Sequence, residues 1–315
     1  MPTLYDEARD LVVASLLPTA INSVFANRVG DLQVLPIAGL EGIPSRANIL
    51  LAFPGACGKE RPQGWPFDLR WVHLLSAGLD SYPDWVFEPM TVTHSPGISG
   101  DSLAEYALAA IFAAAKRLPE LWIRSSDQWN RMSVDMIAGS TLGIVGFGDI
   151  GSALARRALA LGMTVQALRR SQQSLPEGVR RAPSLEDLLA TSDHVVLAAP
   201  GTPETEHLIN HKSLASAKPG LHLINIARGS LVDNLALLDA LNSGRVGRAT
   251  LDVTDPEPPP PGHPFYAHPK IHLSAHTASN DRLIGERLAA AFADNVARFR
   301  AGKNLLNVVD RARGY

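Results

Sequence analysis

The chain has 315 residues, 46% of them hydrophobic and 19% charged, which is enough apolar material for about two domain cores and excludes wholesale disorder. Its formal net charge is −2, so it lacks the broad basic field of a nucleic-acid binder; 23 of its 29 basic side chains are Arg, the residue suited to planar anions such as carboxylates and phosphates. The single Cys57 allows no internal disulfide or thiolate metal site, the N-terminus is acidic and polar, and the most apolar window, 103–115, contains Glu105 and is too short to cross a bilayer. These features predict a cytoplasmic protein with no membrane partner and no metal.

The first hundred residues alternate short apolar runs with turn signals. Runs at 11–17, 32–37, 47–53, 71–76 and 90–93 predict buried strands, residues 19–28 a short helix, and Pro18, Gly30, Pro54, Gly55 and Pro83 the turns. A flexible join follows at 97–102, with Asp101 or Ser102 expected to cap a helix and Glu105 to complete a capping box. The Ala-rich helix, 103–117, is expected at a domain or subunit contact, with a core helix inside one domain as the alternative. A βα rhythm then restarts. Strands are expected at 141–145, 164–168, 194–198, 222–226, 248–253 and 271–274, and helices at 150–161, 185–190, 212–217 and 234–242. That spacing predicts a parallel, doubly wound sheet. A proline run at 256–261 predicts a stiff loop, and residues 282–302 a long final helix.

Gly146-Phe147-Gly148-Asp149-Ile150-Gly151 spells GxGxxG. Alone the pattern is weak, but here an apolar strand leads in and an Ala/Leu-rich helix leads out, the setting in which it binds a dinucleotide. Gly146 would make the tight turn, Gly148 would admit a pyrophosphate to the backbone, and Gly151 would let helix and strand pack. A glycine turn with no ligand is the alternative. The next strand ends at Arg169-Arg170-Ser171. An NAD enzyme usually presents Asp or Glu to the ribose diol here; two guanidinium groups and a hydroxyl suit a 2′-phosphate. NADP(H) is therefore expected to be preferred, with NAD(H) possible. The alternative is a solvated charge pair.

Three further motifs follow strands of the same sheet: Asn225-Ile226-Ala227-Arg228-Gly229, the run from Leu251 through Asp252 to Glu257 and Pro258, and Ser274-Ala275-His276-Thr277-Ala278-Ser279. Ligands of open parallel sheets bind beyond the carboxyl ends of strands, so Arg228, Glu257 and His276 emerge on the edge that carries the glycine turn. Each singly could be a surface ion pair, a solvated charge or a core histidine; their shared placement is what points to chemistry.

The stretches GFGDIG, AAPGTPETEHLIN, NIARG, LDVTDPEP and HLSAHTAS, with SPGISGDSLAEYALA at the join, make the chain resemble the D-isomer-specific 2-hydroxyacid dehydrogenase family, from LLSAGLD near residue 75 to the final helix. The resemblance implies an α/β fold in which a doubly wound Rossmann nucleotide domain (99–284) is inserted into a flavodoxin-like substrate domain (1–98 and 285–315). It implies a homodimer formed largely by the nucleotide domains. It also implies an NAD(P)-dependent oxidoreductase, similar to glyoxylate/hydroxypyruvate reductases, that converts a small 2-oxoacid to the D-2-hydroxyacid. An NAD-linked enzyme of D-lactate type and a dinucleotide-sensing corepressor are the alternatives.

By the same resemblance, Arg228 would hold the substrate carboxylate and polarise the keto oxygen. His276 would be the general acid and base, and Glu257 would orient it and favour the imidazolium. Backbone N–H groups of Ser76, Ala77 and Gly78 would bind the carboxylate. Asp252 would hold the nicotinamide carboxamide, Ile226 and Ala227 would line the ring, and Pro200, Thr205 and Ser279 would line the dinucleotide cleft. Two positions depart from the family pattern: Arg169 replaces the acidic ribose ligand, and His94 stands where many relatives carry Asn.

Overall fold

The computed structural model describes residues 11–88, 90–118 and 120–310. The chain forms two compact units, one running to Ile98 and resuming at Asp281, the other spanning Ser99–Asn280.

In the first unit the chain runs through β1 (Val12–Ser15), α1 (Thr19–Val29), β2 (Gln33–Pro36), β3 (Ile49–Ala52), β4 (Trp71–Leu74) and β5 (Thr91–Thr93). The five strands form a parallel sheet in the order β2-β1-β3-β4-β5, the flavodoxin-like arrangement. β1, β3 and β4 are buried at every position, which is why they appear in the sequence as continuous apolar runs. One face of the sheet is closed by the helix Ile284–Arg300. Its Phe292 and Phe299 stack on Trp71, with centroids 5.2 and 5.6 Å away, and Ala289 and Val296 fill the same core. Past that helix, Val308 makes an antiparallel bridge to Thr93, so the returning chain covers the free edge of β5.

The second unit contains α2 (Gly100–Lys116), β6 (Thr141–Val145), α3 (Asp149–Ala160), β7 (Thr164–Leu168), β8 (Val179–Arg181), α4 (Leu185–Thr191), β9 (His194–Leu197), α5 (His211–Ala215), β10 (Leu221–Asn225), α6 (Asn234–Asn242), β11 (Val246–Leu251) and β12 (Ile271–Leu273). The strand order is β12-β11-β10-β9-β6-β7-β8, all parallel, with the reversal between β6 and β9. This is the doubly wound Rossmann order, extended by β12. The register makes the edge level: Val145 pairs with Leu168 and with Leu197, Asn225 with Leu197 and Leu251, and Leu251 with Leu273. Six strands therefore end on one line, and whatever follows them shares an edge.

One expectation is corrected. The expected capping box does not form: α2 begins at Gly100, so Asp101 and Ser102 lie inside its first turn, and Ser99 caps it without a side-chain hydrogen bond. Asp101 and Glu105 instead face α3, where Arg157 reaches them at 2.8 and 3.8 Å. The Ala-rich face of α2 is spent inside its own unit. Ala104, Ala107, Ile111 and Ala115 pack with Ala153, Leu154 and Ala158 of α3, the small side chains allowing the two helices to approach closely. Strand β8 was not anticipated; its three residues, Val-Arg-Arg, sit at the sheet edge with both arginines exposed, and so carry no apolar period. Among the described residues no helix is long and apolar enough to cross a membrane.

Candidate active site

The glycine turn lies at the reversal point of the sheet, and its three glycines have different causes. Gly146 has φ +92°, and a Cβ there would stand 2.5 Å from the Ala199 nitrogen, in the chain leaving β9. A Cβ on Gly151 would stand 2.7 Å from the Gly146 carbonyl oxygen. Both are required by the protein's own packing. Gly148 is different: a Cβ there would meet nothing within 4 Å. The space beside Gly148 borders the N-terminus of α3, which has no side-chain cap. An open cradle against uncapped helical N–H groups fits a dinucleotide pyrophosphate. Phe147 is buried, Asp149 exposed and Ile150 packs on the core.

At the end of β7, Arg169 is half-buried and its Nη2 donates to Gln173 Oε1 at 2.7 Å, while Arg170 and Ser171 are exposed. Glu204 lies close enough to Arg170 for the guanidinium to help hold its carboxyl below the usual range, behind the stronger effect of its hydrogen bond with Thr202. Sequence reasoning missed Arg181 of β8. Its guanidinium donates to the carbonyls of Arg169 (3.4 Å), Ser171 (3.3 Å) and Gln173 (2.6 Å), and so ties the whole loop to the sheet edge. After β9, Thr205 turns its hydroxyl into its own loop, donating to the Pro200 carbonyl at 2.8 Å.

Beyond β10 the chain is clipped by buried Asn225. Its Oδ1 accepts from the Ala227 N–H at 3.1 Å and its Nδ2 donates to the Arg228 carbonyl at 2.8 Å. Ile226 and Ala227 are buried; the Arg228 guanidinium donates to the Ala227 carbonyl at 2.7 Å, and its stem lies over Gly201. Gly229 is obligatory, because a Cβ there would stand 2.0 Å from the Thr254 carbonyl carbon. That approach brings the Arg228 loop against the loop that carries Glu257.

His276 Nδ1 and Glu257 Oε1 are 2.7 Å apart, with both side chains roughly half-exposed. His276 has φ +48°, a conformation costly for a residue with a side chain and held here by its surroundings. Asp252 does most of the holding. It is buried, its carbonyl accepts from the His276 N–H at 2.8 Å, and its carboxylate accepts from the N–H groups of Thr277 (2.9 Å) and Ala278 (3.0 Å). The Ser274 hydroxyl adds a 2.5 Å bond to the same carboxylate, so the hydroxyl of Tyr106, on α2, donates to Ser274 at 2.6 Å. Burial pushes the Tyr106 phenol above its usual range. Neither this relay nor the loop-binding task of Asp252 was evident in the sequence. Ser279 follows, half-exposed.

In the other unit, Ser76, Ala77 and Gly78 follow β4 in a partly exposed loop.

The family model for the D-isomer specific 2-hydroxyacid dehydrogenase NAD-binding domain matches residues 108–278. A glyoxylate reductase of Aeropyrum pernix is 38% identical over 232 residues, covering 70% of this chain and 69% of that one. A glycerate dehydrogenase of Methylorubrum extorquens is 32% identical over 289 residues, 87% of this chain and 86% of its own. A D-isomer-specific 2-hydroxyacid dehydrogenase from Xanthobacter autotrophicus, crystallised with NADPH and MES, superposes with a TM-score of 0.81 at 30% identity, over 97% of this chain and 99% of that one. With the glycine cradle, the Arg228 loop and the His276–Glu257 pair on one level sheet edge, and with these relatives, the chain belongs to the D-isomer-specific 2-hydroxyacid dehydrogenase family and is an NAD(P)-dependent oxidoreductase.

Proposed function

We propose that the protein reduces a small 2-oxoacid of the glyoxylate or hydroxypyruvate type to its D-2-hydroxyacid, with NADPH preferred to NADH. The observation that carries the chemical reading is the His276–Glu257 pair, held by Asp252 at the same sheet edge as Arg228. When bound, the nicotinamide supplies the hydride. His276 delivers a proton to the keto oxygen as charge develops there, and takes it back in the reverse direction. Glu257 accepts from His276 Nδ1, which fixes the ring and leaves Nε2 to face the substrate. Arg228 binds the carboxylate and polarises the keto group. In the other unit, the backbone N–H groups of the Ser76, Ala77 and Gly78 loop are suited to a carboxylate. Asp252, at the buried base of the His276 loop beside Ile226 and Ala227, would hold the nicotinamide carboxamide.

Cofactor preference is supported by Arg169, Arg170 and Ser171 on a loop with no acidic side chain at the ribose position, tied down by Arg181. The substrate class is supported by the glyoxylate reductases and the glycerate dehydrogenase among the relatives. The test is NADPH oxidation with a panel of 2-oxoacids, followed by kcat/KM for NADPH and NADH. Turnover of glyoxylate or hydroxypyruvate with NADPH ahead of NADH is the expected result. Failure with every small 2-oxoacid overturns the substrate, and a preference for NADH overturns the cofactor.

The same reading includes a homodimer in the cytoplasm. The segment after α2 exposes Trp122 (69%), Trp129 (79%) and Met136 (72%), more apolar surface than an isolated chain usually leaves in water. A second copy covering that segment, with the nucleotide units as the contact, accounts for it. Sedimentation at micromolar concentration should give twice the chain mass, and a monomer refutes the dimer.

A further inference from the structure

His94 is the one departure from the family pattern to which the proposed reaction assigns nothing, and it lies beside the Ser76–Gly78 loop. Each carbonyl of that loop is engaged. The Ser76 carbonyl accepts from the Ser95 N–H at 3.0 Å, the Ala77 carbonyl lies 3.0 Å from His94 Nδ1, and the Gly78 carbonyl accepts from the Ser76 hydroxyl at 2.6 Å. A carbonyl oxygen only accepts, so Nδ1 carries the proton in this contact, whatever the state of Nε2. In a trans peptide the N–H points opposite to the carbonyl. Holding the carbonyls of Ser76 and Ala77 therefore turns the N–H groups of Ala77 and Gly78 the other way. Among the described residues no hydrogen bond uses those two N–H groups.

His94 is itself rigidly placed. It is buried, and burial pulls its pKa below the usual histidine range. Its own N–H donates to the Asn307 carbonyl at 3.0 Å, next to the Thr93–Val308 bridge. On either side, Thr93 Oγ1 accepts from Trp71 Nε1 at 2.8 Å, and the Ser95 hydroxyl donates to the Leu74 carbonyl at 3.0 Å. The imidazole thus stands on a fixed strand end and reaches one loop carbonyl.

We propose that His94 is a positioning residue. Its Nδ1–H fixes the Ala77 carbonyl, which aims the Gly78 N–H outward and preorganises the loop to receive the carboxylate of a small 2-oxoacid. This rests on the reading of the loop as a carboxylate ligand. It makes a geometric demand: the donor nitrogen must be two bonds from Cβ. Asn Nδ2 meets that demand; the Gln amide is one bond too far, and Ala has no donor.

The experiment compares His94→Asn, His94→Gln and His94→Ala by steady-state kinetics with glyoxylate and NADPH. Hydrogen exchange over residues 74–80 is measured with and without oxamate, a carboxylate-bearing analogue, in the presence of cofactor. Loss of this one partly buried hydrogen bond should raise the glyoxylate KM about tenfold in the Gln and Ala variants, with kcat and the NADPH KM changing by less than about threefold. Exchange over 74–80 should quicken in the same two variants, and His94→Asn should restore both readouts. If His94→Ala does not fold, the Asn–Gln contrast decides alone. Oxamate that leaves 74–80 unprotected in the wild type overturns the carboxylate reading of the loop. Protection in the wild type, with KM and exchange the same in all folded variants, overturns the role of His94 alone.

Discussion

In the proposed reaction His276 and Arg228 act on different parts of a 2-oxoacid, so their losses should be separable. Positioned acid catalysis is typically worth ~10²–10⁴ in rate, and His276→Ala should lower kcat on that scale while leaving NADPH binding intact. Arg228→Ala should raise the oxoacid KM strongly, and Arg228→Lys should recover only part, because an ammonium lacks the planar fork. Single-turnover rates check both, and a His276→Ala enzyme with wild-type single-turnover rate removes the histidine from the mechanism. Arg181 belongs to the same scale. It touches three carbonyls of the ribose-end loop, so Arg181→Ala should reduce the ratio of kcat/KM for NADPH over NADH. Titration with 2′,5′-ADP should show the weakening without turnover; an unchanged ratio and unchanged affinity would mean the loop holds its shape unaided. The charged candidates Arg169, Arg228, Glu257 and His276 were legible in the sequence because each sits in a motif at a strand end. Tyr106, Ser274 and Arg181 were not, because each acts through a partner that only folding brings near. Ser274 and Tyr106 are 168 positions apart.

The strand-end loops are the elements that carry the site, and glycines decide how close they come. Gly229 and Gly148 make opposite predictions. Gly229→Ala drives a Cβ into the Thr254 backbone, 2.0 Å away, on the loop that continues to Glu257. Overpacking of this kind costs about 1–3 kcal/mol, so Tm should fall and kcat should fall with it. Gly148→Ala meets nothing within 4 Å, so Tm should hold while NADPH affinity drops. Thermal melts and fluorescence titration of NADPH read the two effects, and a Gly148→Ala protein that binds NADPH as tightly as the wild type would empty the cradle of its purpose. Strand existence was readable because buried parallel strands are continuous apolar runs. The α2 start was misjudged because Ser102 and Glu105 have the spacing of a capping box, but the helix already begins at Gly100 and Arg157 of α3 offers Glu105 a charged partner. β8 escaped because a three-residue edge strand has no periodicity to read.

Across the whole molecule, each unit carries a buried neutral histidine, and both make the fold acid-sensitive. Burial, with neighbouring His94 adding to it, pushes His73 down to about 3 from 6.5. Burial likewise holds His222 well below its ordinary value, with His194 and Arg248 contributing. The unfolded chain protonates near 6.5 and the folded chain does not, so stability is intact above that pH and is lost as pH falls below it. From His73 alone, the loss by pH 4.5 is about 3 kcal/mol. Urea midpoints at pH 7 and 4.5 should show the fall, and it should shrink in His73→Gln; an equal fall in both proteins removes His73 as a cause. Buried polar residues of this kind are invisible to a periodicity argument, because His73 and His222 sit inside apolar runs and their surroundings come from other strands. The order of apolar runs, turns and motifs is local information, and it was sufficient for two parallel α/β sheets, the glycine cradle and the roster of charged candidates. Which strands adjoin, where the sheet reverses, how close the Gly229 and Glu257 loops approach, and which donors hold Asp252, His276 and the Ser76–Gly78 loop are long-range facts. They depend on strand register and on packing between distant segments, and only the tertiary structure decided them.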